Sequence, residues 1–75
     1  MTNAEKLREM CSQAKKGNVK PKEFYDRLSE MAVCEEDSDL GCLLEDALME
    51  LEMDGSIETA KETAIMLLEE LDGHF

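Results

Sequence analysis

The pattern of apolar and polar positions along the 75-residue chain predicts helices from end to end. The first apolar set, spaced by three or four residues, is Ala4, Leu7, Met10, Cys11 and Ala14. Thr2 and Glu5 fit the capping-box pattern of a helix start, and Gly17 fits the glycine that often follows a helix end. These signals predict a first helix over residues 3–16.

A second apolar set follows the turn-forming segment around Asn18. Pro21 suits the first position of a helix, because the N–H that proline lacks would have no partner there. Val19 can pack on Phe24 across this helix start. The repeating apolar face consists of Phe24, Leu28, Met31 and Ala32. We therefore predict a second helix over 21–33, followed by an acidic loop.

The third stretch, over 39–53, carries two apolar stripes instead of one. On a helical wheel of about 100° per residue, the stripe predicted to face the core is Leu40, Leu43, Leu44, Ala47, Leu48 and Leu51. Cys42, Met49 and Met53 fall on the opposite side. Glu45 and Glu52 flank this second stripe on one edge, and Asp46 and Glu50 flank it on the other. Asp54–Gly55 is predicted to end the helix.

The fourth stretch is predicted to form a helix over 56–72, with Ser56 as its N-cap and Gly73 as its stop. Its predicted core face is Ile57, Ala60, Ala64, Leu67, Leu68 and Leu71. Met66 is placed on the outer side. No segment shows the alternation of a β-strand. Four helices with short connections predict an all-α fold, a small antiparallel bundle of about four short helices that forms a single domain over 1–75.

Charge is distributed unevenly between the two halves of the chain. Residues 1–33 contain seven Lys/Arg and five Asp/Glu, a balance of +2, whereas 34–75 contain one Lys and 14 Asp/Glu, a balance of −13. Residues 34–55 alone hold nine of the 19 acids and no Lys or Arg. Such a domain repels nucleic acid and anionic membranes and attracts basic surfaces. Acids can also serve solubility alone, but the asymmetry favours a binding role.

Cysteine usage and hydropathy indicate a location for the protein. The three cysteines cannot all pair, and they form no C-x-x-C motif. The first ten residues lack the apolar run of a secretory signal, and no stretch approaches the roughly 18 apolar residues of a membrane span. We expect a cytoplasmic protein that contacts no membrane.

Catalytic and metal-binding patterns are weak. A calcium loop beginning at Asp37 would place Cys42 and Leu48 where glycine and glutamate are needed. A zinc site would have to combine dispersed residues, namely Cys11, Cys34, Cys42 and His74, without the close pairing of structural zinc sites. The only imidazole lies next to the C-terminal residue. We therefore predict no enzymatic activity, no metal site and no cofactor.

An apolar strip bordered by carboxylates is typical of a protein–protein interface. The candidate partner-binding residues are Glu35, Glu36, Asp37, Asp39, Cys42, Glu45, Asp46, Met49, Glu50, Glu52 and Met53. Three alternatives are open for the strip. Another helix of the same domain covers it, a second copy covers it in a homodimer, or a different protein binds there.

In its general character (short, acidic and helical), the chain resembles phage-encoded anti-CRISPR and anti-restriction proteins and nuclease immunity proteins, although it shares no motif with them. The array of carboxylates on a helical scaffold favours the same kind of function, a small inhibitor that occupies a basic, nucleic-acid-binding surface of a target such as a nuclease or a CRISPR effector. Its carboxylates would then mimic nucleic-acid phosphates, and the protein itself would bind no nucleic acid. The alternative is a homodimeric structural or regulatory module without a nucleic-acid connection.

Overall fold

The computed structural model describes residues 2–35 and 39–74, apart from the side chain of residue 74. It contains four helices: α1 (Asn3–Lys15), α2 (Pro21–Cys34), α3 (Asp39–Met53) and α4 (Ile57–His74). Helices account for 86% of the described residues, and the part of the chain that is described contains no strand. The prediction of an all-α fold built as a small helical bundle is confirmed.

Local signals set both ends of α1. The Glu5 N–H donates to Thr2 Oγ1 at 3.2 Å, which gives one of the free N–H groups of the first turn a partner. At the other end Gly17 has a φ of 82°, in the left-handed region. Asn18 and Gly17 then donate to the carbonyls of Gln13 and Ala14, as in a Schellman motif. The helix ends at Lys15, one residue earlier than predicted.

A network of hydrogen bonds joins α3 to α4. Asp54 accepts from the backbone N–H of Ser56 at 3.1 Å and from the Thr59 hydroxyl at 2.7 Å. Ser56 Oγ in turn accepts from the backbone N–H of Thr59 at 3.2 Å, so the predicted N-cap is present. The bonds from Thr59 and Ser56 lower the pKa of Asp54. These bonds link the residue after α3 to the first turn of α4.

The predicted stop at Gly73 is wrong. Helix α4 continues through Gly73 and ends at His74. A glycine ends a helix by adopting a left-handed conformation, and within the described chain only Gly17 has a positive φ. Residue type alone therefore did not locate this helix end.

The four helices enclose one apolar core. Helix α1 packs mainly on α4, α2 packs mainly on α3, and α3 also contacts α4. The buried apolar residues are Leu7, Met10, Cys11, Ala14, Phe24, Leu28, Leu40, Leu44, Ala47, Leu51, Ala60, Ala64, Leu67 and Leu71. Leu43 and Leu48 are partly buried against this core, so the inner stripe predicted for α3 is confirmed.

Two assignments on α4 are corrected. Ile57 was predicted to face the core, but it is 40% exposed. It is the first residue of its helix, and helical side chains lean toward the N-terminus, so a side chain at this position extends past the helix end. Met66 was predicted to lie outward, but it is partly buried against the core, as its flexible thioether chain allows.

None of the helices in the described chain combines the length and the apolar character that crossing a bilayer requires.

Candidate partner-binding face

The outer strip of α3 is open to solvent. Met49 is 60% exposed and Met53 is 83% exposed, and Cys42 is exposed as well. Among the described residues, no other helix covers these side chains, so the first of the three alternatives for the strip is excluded. An exposed thioether strip of this kind is an adaptable apolar contact surface.

Exposed carboxylates border the strip on both edges. Asp39, Asp46 and Glu50 share one edge by helical spacing, and Glu45 lies on the other edge. All four are exposed. We call the surface made by these carboxylates together with Cys42, Met49 and Met53 the α3 face.

The carboxylates of the α3 face form no ion pair with any residue that the structure describes. Among the described residues, the ion pairs are Arg8–Asp72 and Arg27–Glu23, the latter at 3.0 Å. Neither pair includes a carboxylate of α3, and α3 itself contains five acids and no Lys or Arg. The negative charge of the face is therefore available to a partner.

Glu52, a predicted contact residue, has a contact inside the domain. The Tyr25 hydroxyl donates to Glu52 Oε1 at 2.7 Å and ties α2 to α3. This bond, followed by partial desolvation and the negative charges of Glu52 and Asp26, raises the pKa of Tyr25. Because its carboxylate already has a partner, Glu52 is less free than Glu50 to bind another protein.

The acidic run before α3 is only partly described. Glu35 is half-buried and accepts a hydrogen bond from Asn3 Nδ2 at 2.5 Å, which links the end of α2 to the start of α1. Asp39 lies in the first turn of α3, where the helix dipole favours a negative charge. Glu36 and Asp37 lie outside the described residues. The structure therefore groups Asp39, but not Glu35, with the α3 face.

The three cysteines occupy different environments. Cys11 is buried in the core, and desolvation raises the pKa of its thiol to about 12. Cys34 and Cys42 are exposed, and all three are free. Within the described residues, no three His, Cys, Asp or Glu side chains lie close enough to hold a metal ion.

A second surface feature, which the sequence pattern did not indicate, is an open groove of about 730 Å³ between α1 and α2. Apolar side chains of Met10, Val19 and Met31 line it. The charged lining residues are balanced, with two cations and two acids: Lys6, Arg27, Glu9 and Glu30. The groove arises from the sparse contact between α1 and α2, which is a property of the packing order.

The sequence pattern also gave no indication of two side chains, Asn3 and Tyr25, that donate hydrogen bonds to the predicted site residues Glu35 and Glu52. Asn3 and Glu35 are 32 positions apart, and Tyr25 and Glu52 are 27 positions apart. No local spacing pattern in the sequence indicates a contact between residues that lie this far apart in the chain. These two contacts could have been found only from the order in which the helices pack.

Comparisons with known proteins assign no relative: no family model matches the chain, and no curated protein or solved structure is significantly similar to it. The feature of this chain that bears on its function is therefore the α3 face.

Proposed function

We propose that this protein is a small acidic inhibitor that occupies a basic, nucleic-acid-binding surface of a target enzyme. The observation that carries the proposal is the α3 face, where carboxylates without an ion-pair partner among the described residues border the exposed strip of Met49 and Met53. The protein acts by binding and performs no chemical step. In this proposal the target is a nuclease, a CRISPR effector or another enzyme with a Lys/Arg-lined groove.

Helix geometry gives the carboxylates a fixed spacing. Asp39, Asp46 and Glu50 follow one edge of α3, with rises of about 10 Å and then about 6 Å along the helix axis. Because the helix packs on a core, this spacing is set before the target arrives. An array of fixed negative charge attracts a basic groove, speeds encounter and excludes nucleic acid from the same groove.

The exposed strip also supports a second candidate function, a homodimeric structural or regulatory module. A two-fold dimer through this strip would place the α3 face of one copy against that of the other. Each face contributes carboxylates without a cation on α3, so like charges would meet across the interface. Charge therefore disfavours the homodimer and favours a basic partner.

Affinity capture from the source lysate at low salt, followed by competition with double-stranded DNA, tests the proposal. We expect the captured target to be a basic nucleic-acid-binding protein, released by excess DNA and by raising the salt concentration, because both weaken charge-driven binding. Sedimentation of the isolated protein at the same salt concentrations provides the comparison. A stable dimer that is indifferent to salt, with no DNA-sensitive target, would contradict the inhibitor and support the module.

A further inference from the structure

The shape of the α3 face constrains the element that a partner can present to it. Met49 and Met53 are one turn apart, and the strip from Cys42 to Met53 extends for about 16 Å along the axis. The strip is narrow, because carboxylates lie at both of its edges. A complementary element therefore needs apolar side chains in a single row, with cations on both sides of that row.

A groove lined only by Lys and Arg meets half of this requirement. Its cations would pair with Asp46 and Glu50. Met49 and Met53, however, would be buried against polar groups, and this burial would contribute little favourable free energy. An extended strand would leave backbone N–H and C=O groups facing the side of a helix, where they find no partners. An α-helix satisfies its own backbone and can place apolar and basic side chains in adjacent rows.

We infer that the α3 face docks a basic amphipathic α-helix of the target, an inference that rests on the proposed function. The apolar row of that helix packs on Met49 and Met53. Its flanking Lys and Arg side chains reach Glu45 on one edge and Asp46 and Glu50 on the other. At the usual interaxial distance of 8–10 Å, long basic side chains span the gap between two such helices. Charge complementarity selects this occupant over a second copy of the chain.

A pair of synthetic peptides tests the inference with the full-length protein. One peptide, about 18 residues or five turns long, carries Leu in a single helical row, Lys on both sides of the row and Ala elsewhere. The other has the same composition, scrambled to remove the row. Calorimetric titration at about 50 mM salt is expected to show at least about tenfold tighter binding of the amphipathic peptide.

Matched variants assign the contact to α3. Met49→Gln with Met53→Gln keeps helix propensity and removes apolarity, so this variant should bind the two peptides equally. The control is Val33→Thr, which changes another exposed apolar residue (74% exposed) on a different helix and should leave the preference unchanged. Circular dichroism confirms that each variant is folded.

Each outcome bears on the inference. Equal binding of the two peptides by the wild type, weakened by Glu50→Lys, would overturn the docked helix and leave the proposed binding of basic surfaces intact. Peptide binding that Glu50→Lys leaves at full strength would instead contradict the proposed function. If neither peptide binds, or if the wild type self-associates through Met49 at low salt, the inference is wrong.

Discussion

At the scale of single residues, the hydrogen bond between Tyr25 and Glu52 gives the contact between α2 and α3 a reporter. Tyr25 is the only tyrosine of the chain, so its ionisation can be followed by ultraviolet absorbance without overlap from others. The bond to Glu52 raises its pKa, so the neutral phenol is favoured in the folded state. The resulting stabilisation is present below the ordinary tyrosine pKa of about 10 and is lost as pH rises through the raised value.

The first prediction follows from this bond. Alkaline titration of the folded protein should give a tyrosine midpoint above about 10, and Glu52→Gln should lower it, because the anionic acceptor is removed. Glu50→Gln removes a charge from the same helix without touching the bond, so it should have a smaller effect. Identical shifts from the two variants would mean that general charge, and not the bond, sets the midpoint.

The second prediction concerns the thiols. Only a thiolate reacts readily, and Cys11 is both buried and held protonated by a pKa of about 12. A disulfide reagent at mildly alkaline pH should therefore modify two cysteines of the native protein, Cys34 and Cys42. The third should react only after unfolding in denaturant. Rapid reaction of all three in the native protein would show that the core around Cys11 opens easily.

At the scale of helices, local signals predicted the elements well and their details less well. Caps at Thr2 and Ser56, together with the glycine at Gly17, work through contacts within five residues, so the sequence pattern carries them. The end of α4 was misplaced because a glycine can remain helical. The exposure of Ile57 was missed because an ideal wheel ignores the direction in which side chains lean at a helix start.

The third prediction tests the cap of α4. Ser56→Ala removes the hydroxyl that accepts from the Thr59 N–H and should lower the free energy of unfolding by about 1 kcal/mol. Urea denaturation measures the change. Ser12→Ala, at a half-buried position inside α1, is the comparison, and it should cost less because it removes no cap. Equal losses would argue that Ser56 stabilises α4 by another means.

The fourth prediction compares the two stripes of α3 by replacing one residue of each stripe with alanine. Leu44 is fully buried, so Leu44→Ala should cost about 2–5 kcal/mol of unfolding free energy through lost burial and the cavity left behind. Met49 is 60% exposed, and Met49→Ala should change stability by less than about 0.5 kcal/mol. Urea denaturation of the two variants provides the comparison. A large loss at Met49 would place it in the core and remove the α3 face as a docking surface.

At the scale of the whole molecule, the order in which the helices pack determines contacts that the sequence pattern could not predict. The helical period predicted which side of α3 is apolar and which carboxylates border the outer strip. It could not predict that α1 pairs with α4 and α2 with α3, because both helix length and charge permit other arrangements. In that order, Glu52 and Glu35 each accept a hydrogen bond from another helix of the domain. The same order leaves an open groove between α1 and α2. The binding role of the α3 face stays a prediction.

The fifth prediction asks whether net charge or local charge drives binding to the target. Glu50→Lys on α3 and Glu9→Lys on α1 each change the net charge from −11 to −9, so a global effect would treat them alike. Both positions are exposed and lie within helices, so stability should change by less than about 0.5 kcal/mol in either variant. Screening limits the reach of an exposed charge to about 10 Å, so only a charge inside the interface should affect binding strongly.

We therefore expect Glu50→Lys to weaken capture of the basic target, and to slow association more than it speeds dissociation, because border charges act mainly on encounter. Glu9→Lys should bind almost as the wild type does. The difference between the variants should shrink as salt is raised from about 50 mM to about 300 mM, since the attraction is screened. Surface plasmon resonance at matched salt measures both rates. If the two variants lose affinity equally, the acids of α3 confer solubility and a general negative field, and the α3 face is not the contact surface.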